Sequence, residues 1–224
     1  MNHIFHNLQA RSASADRADY KFPWFTLLVS LLCLPFSLSA TGFALGCFDW
    51  QLIQSGEYWR LITGHLSHTG AGHLFWDLLA YSLASAYIEC RNRSWAVIAT
   101  VCGILSVDLL LLSPLASVNQ YAGLSGMLFA PLCLALTIFG LKHKGLVGWL
   151  PLLLCIGKVI WEQFSQTAFL SDSNWPVYTA AHLVGIAGGC LTWVIIAGWG
   201  VIKEIALPIS QAIKLDQRLS EFKN

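Results

Sequence analysis

Long apolar stretches alternate along this chain with short polar ones. Six of them approach the length of a bilayer crossing: Pro23–Gly46, His73–Glu89, Ser94–Leu112, Tyr121–Gly140, Leu146–Trp161 and Tyr178–Gly200. A helix needs about 20 predominantly apolar residues to cross the hydrocarbon core. The pattern therefore predicts an all-α, polytopic membrane protein, a bundle of six transmembrane helices. Pro35 inside the first stretch marks a kink. The second stretch is short and carries Asp77 near its start, which places it against other helices rather than against lipid. Met1 to Lys21 is polar, with no short apolar core ending in a small-residue cleavage site, so the first stretch reads as a retained anchor.

The basic residues orient the bundle. Arg11, Arg17 and Lys21 precede span one, Arg91 and Arg93 fall between spans two and three, and Lys142 and Lys144 between four and five. Lys203, Lys214, Arg218 and Lys223 follow span six, whereas the other three loops together hold only Arg60. Positive residues mark the cytoplasmic side, so both termini are expected inside. Three parts follow: residues 1–22 as a cytoplasmic segment, 23–200 as the membrane domain, and 201–224 as a cytoplasmic amphipathic tail. In the tail, Ile209, Ala212, Ile213, Leu219 and Phe222 recur at near-helical spacing after Pro208. Lys158 sits one turn before Glu162 near the outer end of span five, which suits snorkelling and pairing. The first loop, Cys47 to Gly72, is rich in aromatic and aliphatic residues and suits the membrane interface.

Composition agrees with a membrane class. The 224 residues are 56% hydrophobic and 11% charged, where a soluble domain carries roughly 25% charged residues. A net charge of +1 argues against nucleic acid as a partner. The seven cysteines lack C-x-x-C or zinc-like spacing and read as small buried hydrophobes. No cofactor is called for.

Spans two, four and six run from outside to inside on this map. His73, Asp77, Ser125 and His182 then all fall in the first turn or two below the outer face. Ser125, in Gly123-Leu124-Ser125-Gly126, reads either as a small packing residue or as a nucleophile at a helix N-terminus, beside free backbone N–H groups. His182 shares a helical face with Gly185 and Gly189, a close-packing surface, so it points at a neighbouring helix. It is either a hydrogen-bonded core residue or, at the depth of Ser125, its general base. Phe129, one turn below Ser125, either holds that imidazole or simply fills the core. His65, His68, His73 and Asp77 raise a metal site, but their spacing is not H-E-x-x-H and the metal reading is set aside. His73 and Asp77, four apart, share one face and can aim at a common point, such as a carbonyl oxygen turning anionic.

These motifs resemble the rhomboid intramembrane serine proteases. That family joins a Gly-x-Ser-Gly on span four to an Ala-His-x-x-Gly with a glycine face on span six. It also carries a His-x-x-x-Asn at the head of span two and a Trp-Arg pair in the first loop. This chain has Gly123-Leu124-Ser125-Gly126, Ala181-His182 with Gly185 and Gly189, His73-Leu74-Phe75-Trp76-Asp77, and Trp59-Arg60. His68 also falls where the family often carries a histidine. The resemblance spans roughly residues 55 to 200. It implies a six-helix rhomboid-like bundle and a Ser125–His182 dyad without a third acid. It also implies an oxyanion site from His73, position 77 and the backbone around Gly123 and Ser125. Asp77 departs from the family's asparagine: an ionised carboxylate only accepts hydrogen bonds, while a protonated one can donate. The expectation is a protonated Asp77 assisting His73.

The implied activity is endoproteolysis of a transmembrane segment near the outer face of a bacterial inner membrane, with no cofactor. The implied partners are a transmembrane protein substrate and the lipid bilayer. The compact six-span form resembles the rhombosortase branch, associated with Gly-Gly-containing C-terminal anchors of exported proteins. An inactive rhomboid-like protein binding transmembrane clients, or a metal-handling membrane protein, are the competing readings.

Overall fold

The computed structural model describes residues 21–143, 145–165 and 178–221, with side chains given through residue 200. Two compact units divide the chain, Met1–Thr192 and Trp193–Asn224. In the first unit, the apolar stretch predicted as one span is two helices, α1 (Trp24–Ser37) and α2 (Ala40–Gly46), whose axes are bent by 114°. Pro35 has no N–H for the carbonyl one turn earlier, which weakens the last turn of α1. Ser39 then adopts an extended conformation and caps α2, its Oγ accepting from the Gly42 N–H. A Cβ on Gly42 would collide with the Pro35 carbonyl, so the bend needs glycine there. With 14 residues, α1 is about 21 Å long, short of the roughly 30 Å hydrocarbon core. The kink expected at Pro35 is a full break.

The first loop is an ordered layer. It contains β1 (Phe48–Asp49), α3 (Trp50–Gln54) and α4 (Arg60–Leu66), and β1 pairs antiparallel with β2 (Gln120–Tyr121). Arg60 is buried and donates to the carbonyls of Ala44 and Cys47 at 2.9 and 2.6 Å and to Glu57 at 2.8 Å. It holds the loop rather than marking a membrane side. Tyr58 and Trp59 are more than half exposed, which fits rings lying at headgroup level.

The remaining helices are α5 (Ala71–Glu89), α6 (Arg93–Leu111), α7 (Ser125–Lys142), α8 (Leu146–Ser165) and α9 (Thr179–Glu221). Four helical segments are long and apolar enough to cross a membrane: α6, α7, α8 and the Thr179–Gly200 part of α9. The bent pair α1–α2 would make five. The predicted second span, α5, lacks that apolarity because His73, Asp77, Ser82, Ser85 and Glu89 interrupt it. It packs instead against α1, α6 and α7. Glu89, fully buried, accepts from the N–H groups of Phe25 and Thr26 at 3.0 and 2.8 Å and from Arg93 Nε at 2.8 Å. A carboxylate thus seals the positive end of α1.

Helix α7 packs against α5, α6 and α8, so the segment that opens with Ser125 is the centre of this unit. In the second unit the backbone is helical to Glu221, continuing past Pro208. Side chains of the predicted tail lie outside the described residues, as do residues 1–20 of the N-terminal segment.

Candidate active site

Ser125 is the first residue of α7, reached through a turn that glycine makes possible. Gly123 has φ +133°, a conformation essentially reserved for glycine. A Cβ there would also come within 2.8 and 2.9 Å of two His73 ring atoms. Position 123 therefore sets both the turn and the close approach of the backbone to His73. Hydrogen bonds fasten the turn on every side. Its N–H donates to the Gly64 carbonyl at 3.1 Å, and the Leu124 N–H to His68 Nε2 at 3.4 Å. The Tyr121 hydroxyl donates to the Gly123 carbonyl at 3.0 Å and accepts from the Gly126 N–H at 3.2 Å. The Ser125 amide, in the first turn, has no intrahelical acceptor and so remains a potential anion donor.

Helix α9 reaches this turn through its glycines. A Cβ on Gly185 would run into the Gly126 carbonyl, and one on Gly189 would come within 2.9 Å of Cys133 Cβ. Gly188, on the adjoining face, is equally close to Cys102 and Ser106 of α6. The close contact puts His182, 4% exposed, against Phe129, with ring centroids 4.9 Å apart. Ser125 and His182 both line one cavity of about 1210 Å³, together with His73 and Asp77. Asn119, Gln120 and Tyr121 also line it. Among the described residues no hydrogen bond joins Ser125 to His182; the serine side chain interacts with the Tyr121 hydroxyl. Catalytic hydrogen bonds are commonly loose before substrate binds.

A buried acid meets this imidazole. Glu162 of α8, 1% exposed, places Oε2 3.0 Å from His182 Nδ1, and Lys158 Nζ lies 2.6 Å from its Oε1. A carboxylate only accepts, so His182 Nδ1 carries the hydrogen and Nε2 keeps its lone pair. The Lys158–Glu162 spacing was visible in the sequence, where it reads as a pair near lipid. What the sequence did not show is that the pair faces inward.

The Rhomboid domain family model matches residues 55–199. The chain belongs to the rhomboid family. It is therefore an integral membrane protein of an intramembrane protease family. Comparison with curated proteins gives no match.

Two further polar clusters of this rhomboid surround the turn. Asp77 Oδ2 lies 3.3 Å from Nε2 of both His68 and His73. Neither approach has hydrogen-bond geometry, so the contact is electrostatic rather than directional. His68, buried, has Nδ1 3.2 Å from the Leu66 carbonyl, which requires a hydrogen on that nitrogen. Its Nε2 is then the acceptor for Leu124, and His68 acts as a brace for the serine turn. The second cluster was not anticipated: His65 Nε2 meets Asp108 Oδ1 of α6 at 3.1 Å, and the His65 ring packs edge-on against Tyr121. Only Asp108, a lone acid in the third stretch, could have signalled it.

Proposed function

We propose that this rhomboid is a serine endopeptidase that cleaves transmembrane segments, with Ser125 as nucleophile and His182 as general base. The observation that carries this reading is the single cavity lined by both side chains, at the head of α7 and beside α9. His182 Nε2 takes the Oγ proton as Ser125 attacks a peptide carbonyl, then passes it to the leaving amine. Water from the outer side hydrolyses the acyl-enzyme. The oxyanion lies by the Ser125 N–H, with His73 as the second donor beside Gly123, assisted by a protonated Asp77. Phe129 supports the imidazole, while Gly185 and Gly189 fix its distance.

The cavity's apolar wall includes Trp76, Leu128, Leu132, Leu154 and Trp161, which suits a transmembrane helix as substrate. Helix α5 completes a six-span bundle, with Asp77, Ser85 and Glu89 turned toward its neighbours and Phe75, Leu79 and Leu83 exposed. Both termini lie in the cytoplasm of a bacterial cell, and the cavity opens outward. A rhombosortase role, on anchors with small residues at their outer end, is the specific form of this activity that the Trp59-Arg60-Leu61-Ile62-Thr63-Gly64-His65 run supports.

A fluorophosphonate probe on purified protein tests the reading. Labelling is expected at Ser125 and absent in Ser125→Ala, and both Ser125→Ala and His182→Ala are expected to insert normally and cleave nothing. Substantial turnover by inserted Ser125→Ala protein would sink the serine mechanism.

A further inference from the structure

We infer that Glu162 is a positioning residue, the third member of a Ser125–His182–Glu162 unit, in place of the two-residue dyad that the sequence resemblance implies. The inference rests on the serine reading above and adds to it.

Three observations carry it. The Glu162 carboxylate meets His182 Nδ1 at 3.0 Å with both side chains at 5% exposure or less, so water does not compete for either group. The acid comes from a different helix than the imidazole, α8 against α9, so the contact is a product of the tertiary fold. The opposite carboxylate oxygen is held by Lys158 at 2.6 Å, and the Lys158 ammonium lies 5.7 Å from the centroid of the Phe129 ring that packs on His182. The imidazole is thus set by an acid at Nδ1 and an aromatic ring alongside.

The chemistry follows from the hydrogen count. Because the carboxylate can only accept, the neutral imidazole is held as the Nδ1–H tautomer, with the Nε2 lone pair available for the Ser125 Oγ proton. When that proton arrives, the ring becomes a cation 3.0 Å from a carboxylate oxygen. Glu162 stays ionised throughout and takes no proton. Lys158 offsets part of its charge, so the advantage is greatest in orientation and smaller in electrostatics. A purely structural clamp between α8 and α9 would not need these groups, since apolar residues of similar volume often replace a buried ion pair without loss. The location on the wall of the serine's cavity is what a positioning role needs.

The test uses the full-length enzyme with Glu162→Gln, Glu162→Asp and Glu162→Ala, measuring kcat and KM on a transmembrane substrate, the rate of fluorophosphonate labelling, and thermal stability. In Glu162→Gln, kcat and labelling rate are expected to fall by about 10² or more with KM and thermal midpoint unchanged; in serine proteases the loss of the orienting acid reaches about 10⁴. Glu162→Asp retains the charge and should recover part of the rate, above both Gln and Ala. Glu162→Gln combined with His182→Ala should be no slower than His182→Ala alone, because members of one unit are non-additive. Wild-type kcat and labelling in Glu162→Gln would overturn the inference, as would losses that simply follow the thermal midpoint across the three variants. If Glu162→Gln fails to insert, the order of Asp against Ala decides in the same way. Unlabelled wild-type protein would instead remove the serine reading itself, so the two failures are distinct.

Discussion

Gly123 joins two constraints that no other residue satisfies, a φ of +133° and no room for a Cβ beside the His73 ring. Forcing a side chain into such a conformation costs on the order of 1–3 kcal/mol before any clash is counted. Gly123→Ala is therefore expected to lower thermal stability and to reduce kcat more than KM, because the displaced turn moves both Ser125 and His73. Activity assays with a parallel melting curve check this. Asp77 poses the complementary question of charge. With an imidazole Nε2 at 3.3 Å on either side, the carboxyl lies beside the proposed oxyanion site, and a protonated donor there predicts that Asp77→Asn stays active while Asp77→Ala is impaired. The scale of loss for one oxyanion-site donor is about 10²–10³. A well-folded but inactive Asp77→Asn would remove the protonated-donor role.

At the level of elements, the α7–α9 contact is built on missing side chains. Gly185→Leu would push α9 off the Gly126 carbonyl and carry His182 with it. Loss of cleavage with a lowered melting temperature is the expected result; a stable, fully active Gly185→Leu would mean that this face does not pack as described. The short β1–β2 pair has its own clamp. Asp49 Oδ1 accepts from the N–H groups of Gln51 and Leu52 at 3.0 and 3.2 Å, and Oδ2 from Gln120 Nε2 at 2.8 Å. Partial burial pushes the carboxyl upward, but these hydrogen bonds and the charge of Arg60 outweigh it and hold its pKa below the ordinary 3.8. Its contribution is thus complete above that ordinary value and lost as pH falls through the lower folded one. Limited proteolysis of the first loop should accelerate in that acid range for wild type, and Asp49→Asn should show no such step from this site.

For the whole molecule, the proposed topology rests on the placement of the basic residues and on α5 crossing the membrane. Reporter fusions are expected to place Asn2, Lys142 and Asn224 inside, and Gly56 and Asn174 outside. An external Asn224 would break the proposed six-span arrangement, in which Ser125 and His182 share one depth. Arg60 warns against counting cations by sequence alone, since its guanidinium is consumed by two carbonyls and Glu57.

Much of the candidate site was legible in the sequence. Ser125, His182, the Gly185/Gly189 face and the His73–Asp77 pair are local patterns, set by helical periodicity and by the rarity of polar groups in apolar stretches. The sequence by itself also determined the helical membrane class, because so few charges and such long apolar runs leave little else. It could not decide the break between α1 and α2, which depends on Gly42 fitting beneath a carbonyl of the preceding helix. Nor could it decide which face of α8 turns inward. That one rotation makes Lys158 and Glu162 either a solvated pair at the lipid boundary or a buried acid on His182. Only packing against α7 settles it, because a helix reports its own periodicity in sequence but not the direction of its neighbours.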